Sequence, residues 1–224
     1  MDMTLIGNGE PLCDELAMHV TGDGKFSSLR HPLVSITPYH ESMNAIFNRM
    51  LEHKRESIQQ SIKAEDWENF VFLHERPYRL NAIVELRNNM NVEFKALASI
   101  VLSAYSDSEN ISENSELWRE LLTTAAQYTK EMNDSDISGM SEISALWGKT
   151  VTLYHGGEVP IEGARWCWTL DLEKARWFAD RFEREGALYA CEVAGEYIDF
   201  ILHHRGESEV LVMKDSAIKN MREI

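Results

Sequence analysis

Between Tyr39 and Trp147 the apolar positions recur at helical spacing. Met43, Ile46, Phe47, Met50 and Leu51 fall at i, i+3, i+4, i+7 and i+8, which puts them on one face of a helix. Phe94, Leu97, Ala98, Val101, Leu102 and Tyr105 repeat that spacing, and Trp118, Leu121, Leu122, Ala125 and Tyr128 follow a similar one. Pro77 suits the first turn of a helix, where its missing N–H costs nothing. Polar stretches at Asp107–Asn114 and Asn133–Gly139 read as breaks. Residues 39–148 are therefore expected to form a helical domain of about five helices. Residues 1–38 hold Gly7, Gly9, Pro11, Gly22, Gly24, Pro32 and Pro38 and read as an irregular segment of loops, with one short hairpin around Gly22–Gly24.

After Gly148 the period changes. Val151–Tyr154, Ala187–Val193, Tyr197–Leu202 and Glu209–Met213 are short runs rich in Val, Ile, Leu and aromatic residues, the pattern of strands. One helix interrupts them: Leu172, Ala175, Phe178, Ala179 and Phe182 share a face, and Thr169 or Asp171 can cap its start. The expected class is α+β, a mostly helical N-terminal region followed by a β-rich domain over 149–224.

Charge and cysteine usage narrow the functions. The chain of 224 residues carries a formal charge of −15, which opposes direct binding to nucleic acid because phosphate contacts need a basic surface. An acidic surface is ordinarily a solvated one, and it also suits a basic partner or mimicry of nucleic acid. Cys13, Cys167 and Cys191 are odd in number and lack CxxC spacing, so neither a disulfide framework nor a zinc site is expected, and the thiols fit a reducing compartment. No apolar run is long enough to span a bilayer, and the first residues do not read as a signal peptide. No membrane association and a cytoplasmic location are the expectations.

Three pieces in the last third carry candidate chemistry: LYHGG at Leu153–Gly157, WCWTLDLEKARWFADRF at Trp166–Phe182, and RGESEVLV at Arg205–Val212. Over about Val151–Met213 they resemble the ADP-ribosyltransferase family. They are most similar to phage and prophage proteins with a tyrosine-arginine-glycine strand, a serine-tryptophan-threonine turn into a helix, and an arginine-glycine-glutamate-x-glutamate strand. FLHERPYRL, Phe72–Leu80, resembles an accessory part of the same phage proteins. The resemblance implies a split, mostly antiparallel β core with NAD, as substrate, in the cleft between two sheets. It makes Glu209 the catalytic carboxylate that stabilises positive charge on the ribose, and Glu207 the group that positions or activates the acceptor. Alternation along a strand puts Glu207 and Glu209 on the same face. By the same resemblance His155 contacts the NAD phosphates or ribose, Gly156 and Gly157 let NAD approach the backbone, and Thr169 supports the ribose and the glutamate. Trp168 packs against nicotinamide or the core; Phe178, Tyr189 and Trp168 are the candidates for stacking on nicotinamide. The helix from Asp171 is expected to place Trp177 and Phe178 behind the sheet. The sequence departs from the closest pattern at His155, where arginine is more common, and at Cys167, where serine stands and donates a better hydrogen bond.

Plainer readings exist for each residue. Glu207 and Glu209 also suit a charged edge strand, His155 a structural histidine, Arg205 an ion pair with Glu207, and Trp166, Trp168, Trp177 and Phe178 the core. Cys167 reads as a small buried residue, not a nucleophile. An HExxH zinc site at His74 fails because Tyr78 stands at the second histidine position, and the neighbouring His203 and His204 point opposite ways on a strand. No metal is expected.

Three functions follow. The first is an ADP-ribosyltransferase that modifies a host macromolecule, a protein side chain and by family pattern an arginine, in phage takeover of the host or inhibition of its defences. The helical region would then recognise the target or cover the NAD cleft. The second keeps the fold but only binds NAD or a nucleotide, or hydrolyses NAD. The third is an acidic inhibitor without nucleotide chemistry, using the acidic excess of Val101–Thr150 that includes Asp107, Glu109, Glu113, Glu116 and Glu120.

Overall fold

A computed structural model describes residues 7, 9–23, 26–108, 111–132, 139–157, 166–181, 186–204 and 207–224, with backbone alone at 130–132, 204 and 207. The fold is α+β: a helical N-terminal region followed by an antiparallel sheet. The chain divides into two compact units, 1–96 with 107–109, and 97–106 with 110–224. These units do not follow the borders at 38 and 148 read from the periodicity. Most of the helix containing Tyr105, and all later helices, belong with the sheet.

The first unit begins with α1 (Asp14–Ala17) and a small antiparallel sheet of β1 (Val20–Thr21), β2 (Ser28–Arg30) and β3 (Ser35–Ile36). The hairpin expected at Gly22 is the β1–β2 turn, and Gly22 takes a φ of +86° there. Helices α2 (Asn44–Ala64), α3 (Trp67–Leu73) and α4 (Arg79–Asn89) follow. The predicted stripe of α2 supplies Phe47 and Leu51 to a core with Leu16, Leu29 and Val34. Pro77 sits in a short 3-10 turn, Arg76–Tyr78, that leads into α4. Arg79 stacks over the Phe72 ring at 4.4 Å and pairs with Asp107, which also holds Arg76. Asp107, one of the five acidic residues counted in the 101–150 excess, is thus an ion-pair partner.

The second unit contains α5 (Phe94–Asp107) for most of its length, α6 (Ser115–Met132), α7 (Met140–Leu146) and α8 (Leu172–Asp180). Among the described residues six α-helices, α2–α7, occupy the region expected to hold about five. The α5 stripe is buried at Leu97, Ala98, Val101, Leu102 and Tyr105, and that of α6 at Trp118, Leu121, Leu122 and Ala125. The sheet runs β7 (Phe200–His204), β8 (Glu207–Leu211), β5 (Cys167–Thr169), β4 (Thr150–Gly157), β6 (Ala187–Ala194), β9 (Lys219–Glu223), every neighbouring pair antiparallel. Among the described residues, strands β4 and β6 pair along eight positions, whereas β4 and β5 are joined at Tyr154–Thr169 alone. Inward residues of five strands, among them Leu153, Trp168, Val193, Ile201 and Val210, form one core cluster. Strand β9 was not legible: its residues are all exposed and lack alternation, as befits a charged edge strand. No described helix is long and apolar enough to cross a membrane.

Helix α8 follows β5 directly and packs back on β4. Asp171 is its N-cap, accepting from the backbone N–H of Glu173 at 2.9 Å and Lys174 at 3.2 Å. Ala175 and Ala179 form its buried face. The packing is so close that a methyl group added at Gly156 would fall 1.7 Å from the Ala175 carbonyl oxygen. Gly156→Ala is expected to push the helix off the strand and to cost roughly 1–3 kcal/mol, the usual penalty of overpacking. A urea unfolding curve checks it: a midpoint equal to wild type would refute the close approach.

Candidate functional site

Strand β5 is short, and its alternation sets the site. Trp168 points into the core and is 2% exposed. Cys167 and Thr169 therefore take the other face. Thr169 pairs with Glu209 on one side and Tyr154 on the other, and Cys167 pairs with Leu211. Directly opposed residues share a face, so Cys167, Thr169 and Glu209 lie together where the two halves of the sheet are joined.

Two donors among the described residues hold Glu209. The Cys167 thiol donates to Glu209 Oε1 at 2.8 Å, and the Tyr105 hydroxyl donates to the same oxygen at 2.8 Å. Tyr105 comes from α5, is 2% exposed, and lies edge-on to Trp118 at 5.7 Å between ring centres. Burial, reinforced by the neighbouring Cys167 and Glu209, raises its pKa well above 10, so its hydroxyl stays protonated as a donor. Thr169 is buried, and its hydroxyl oxygen accepts from the Asp171 N–H at 3.1 Å. The choice between Thr169 and Asp171 as helix cap thus resolves: Asp171 caps, and Thr169 braces the turn before it.

His155 stands next to this group. Its Nδ1 donates to the Cys167 carbonyl at 2.8 Å. A carbonyl only accepts, so Nδ1 carries the proton of the neutral ring and Nε2 is the acceptor. The ring meets Trp168 edge-on at 5.9 Å, and Gly157 leaves room for it: a methyl there would lie 3.2 Å from Nε2. Alternation places His155 and Trp168 on one side of the ladder and Glu209 with Cys167 on the other. Cys167 bridges the two, its carbonyl serving His155 and its thiol serving Glu209. Desolvation lowers the His155 pKa, opposed by the bond to Cys167, and the ring is neutral when folded.

The remaining expectations fall unevenly. The space before Gly156 is taken by the backbone of α8. Phe178 is half-buried and meets Trp177 edge-on at 5.0 Å. Trp177, expected in the core or behind the sheet, is instead 52% exposed, with Lys174 and Arg181 against its ring at 5.6 and 5.2 Å. Two cations in contact with its ring make a solvated position tolerable for an indole. Tyr189 pairs with His155 across β4 and β6 and packs on the core. Glu207 opens β8 opposite His204, and its side chain lies outside the described residues, as does Arg205. His203 pairs with Glu142 at 2.8 Å. The indole N–H of Trp166 is buried and faces the Tyr105 hydroxyl.

No protein-family model, no curated protein and no solved structure matches the chain. Function must therefore be argued from the geometry. Among the described residues no cluster of His, Cys, Asp or Glu could hold a metal ion. A cavity of about 540 Å³ lined by Thr150, Glu192, Tyr197, Lys214 and Lys219 includes none of the predicted site residues. What the arrangement offers is an oriented carboxylate beside a threonine hydroxyl, with a neutral imidazole on the opposite face of the ladder. Such a carboxylate can stabilise positive charge that develops on a substrate and can accept from a substrate hydroxyl. Sequence reasoning missed Tyr105. The one available signal was a tyrosine on an apolar helical stripe, whose buried hydroxyl needs a partner.

The histidine gives a pH dependence. Its folded pKa lies below the unfolded value of 6.5, so above pH 6.5 its contribution is complete. As pH falls below 6.5 the unfolded chain takes up the proton first, and stability is lost until the folded pKa is reached. His31 and His74 are lowered by desolvation in the same direction. Thermal melts are expected to decline from pH 7.5 to 5.5, with a shallower decline for His155→Gln; equal slopes would contradict a buried neutral ring.

Proposed function

We propose that this protein transfers ADP-ribose from NAD to a side chain of a target protein, with Glu209 as the catalytic carboxylate. The observation that carries the reading is the Glu209 carboxylate, fixed by Tyr105 and Cys167 beside Thr169 where β4 and β5 meet. NAD, as substrate, supplies a ribose–nicotinamide bond that breaks with its electron pair leaving on nicotinamide, while an acceptor lone pair forms the new bond to the ribose carbon and the acceptor's proton passes to solvent. The residues present fit that task. Glu209 faces the positive charge that builds on the ribose and accepts from a ribose hydroxyl. The thiol of Cys167 donates to Glu209 from the position where the resembling proteins have serine. By the resemblance His155 contacts the NAD ribose or phosphates, and its Nδ1 bond to the Cys167 carbonyl leaves Nε2 as an acceptor in place of the arginine charge. Glu207 positions or activates the acceptor, for which the resemblance favours arginine. A phage-encoded role in host takeover or defence inhibition follows from the same resemblance, in the cytoplasmic location expected from the sequence.

The test is incubation of the purified protein with labelled NAD and bacterial lysate, with Glu209→Gln in parallel. Glutamine keeps an acceptor oxygen for Tyr105 and Cys167 but removes the charge, and the expected loss is about 100-fold or more. Label on a discrete band from wild type alone supports transfer. Free ADP-ribose without labelled protein would favour hydrolysis, and neither product nor NAD binding would leave the acidic-inhibitor reading.

A further inference from the structure

The Tyr105 hydroxyl lies 104 residues in sequence from the carboxylate it binds and outside the 151–213 segment that carries the family resemblance. We infer that Tyr105 is a positioning residue for Glu209, so that α5 is a working part of the site and not only an accessory to it. The inference rests on the reading of Glu209 as the catalytic carboxylate.

Three observations carry it. First, Tyr105 and Cys167 both donate to Oε1, which fixes the rotation of the carboxylate about its last bond and so the direction of its second oxygen. Second, Tyr105 cannot move aside: its ring is enclosed, edge-on to Trp118, on a helix whose stripe is buried from Leu97 onward. Third, a buried hydroxyl whose pKa stands well above 10 does not take up or release protons at working pH, which leaves donation as its role. A fixed donor to a carboxylate also favours the charged form, the form that stabilises positive charge.

The two donors share one oxygen, so their effects must be coupled. A phenol donates more strongly than a thiol, so Tyr105→Phe removes the stronger of these donors and keeps the thiol as a partner. Cys167→Ser replaces that partner with a hydroxyl. The experiment compares wild type, Tyr105→Phe, Cys167→Ser and the double variant by NAD turnover against pH, and by carbon NMR titration of the Glu209 carboxyl, assigned by its loss in Glu209→Gln. Thermal melts confirm that each variant is folded.

The expected result for Tyr105→Phe is a fall in kcat of about 10- to 100-fold, the worth of one hydrogen bond to a charged group, with KM for NAD little changed. The acid limb of the pH profile and the Glu209 titration both move to higher pH, and Cys167→Ser recovers part of the loss. Turnover that is abolished by Glu209→Gln but unchanged by Tyr105→Phe in kcat, pH profile and titration would overturn the inference and leave the transferase reading intact. Losses in the single variants that simply add, with the titration unmoved, would also overturn it, since they report packing alone. A wild-type protein that neither turns over nor binds NAD would instead overturn the reading of Glu209, and the positioning role of Tyr105 with it.

Discussion

The burial of Trp168 is the constraint on which the rest of the C-terminal unit depends. Strand β5 has only three residues, and its indole fills the core between the two halves of the sheet. Because neighbours on a strand face opposite ways, burying Trp168 obliges Cys167 and Thr169 to the other side. The same choice fixes the register with β8, so that Thr169 meets Glu209. A slip of one residue would bring Cys167 and Thr169 into the Trp168 core cluster and move the indole to the Glu209 face. The apolar core therefore specifies the polar site.

The polar site in turn imposes conditions on the core. A partly buried carboxylate loses hydration, and donors must offset that loss. A buried phenol needs an acceptor for the same reason. Tyr105 and Glu209 satisfy one another, so neither is easily replaced alone. This mutual requirement ties α5 to β8 within the second unit. The α8 packing acts likewise. A strand with a glycine at 156 accepts a helix backbone at contact distance, and the turn that delivers that helix is held by Thr169 and Asp171, beside the candidate carboxylate.

Local pattern determined a good deal. The stripes of α2, α5 and α6, the strands β4, β6, β7 and β8, the capped helix α8 and the α+β order were all readable, because each buries one face and its period states which. The nearness of Thr169 and Glu209 was expected only through the family resemblance, since period alone does not say which strands pair. Tertiary structure decided the remainder. It brought Tyr105 to Glu209, filled the space at Gly156 with a helix instead of open room, and left Trp177 exposed against two cations. It also added β9, whose charged and exposed residues carry no alternation. The physical reason is common to these cases. Periodicity records that a residue is buried or exposed relative to its own element, whereas the partner it meets is set by packing between elements distant in sequence.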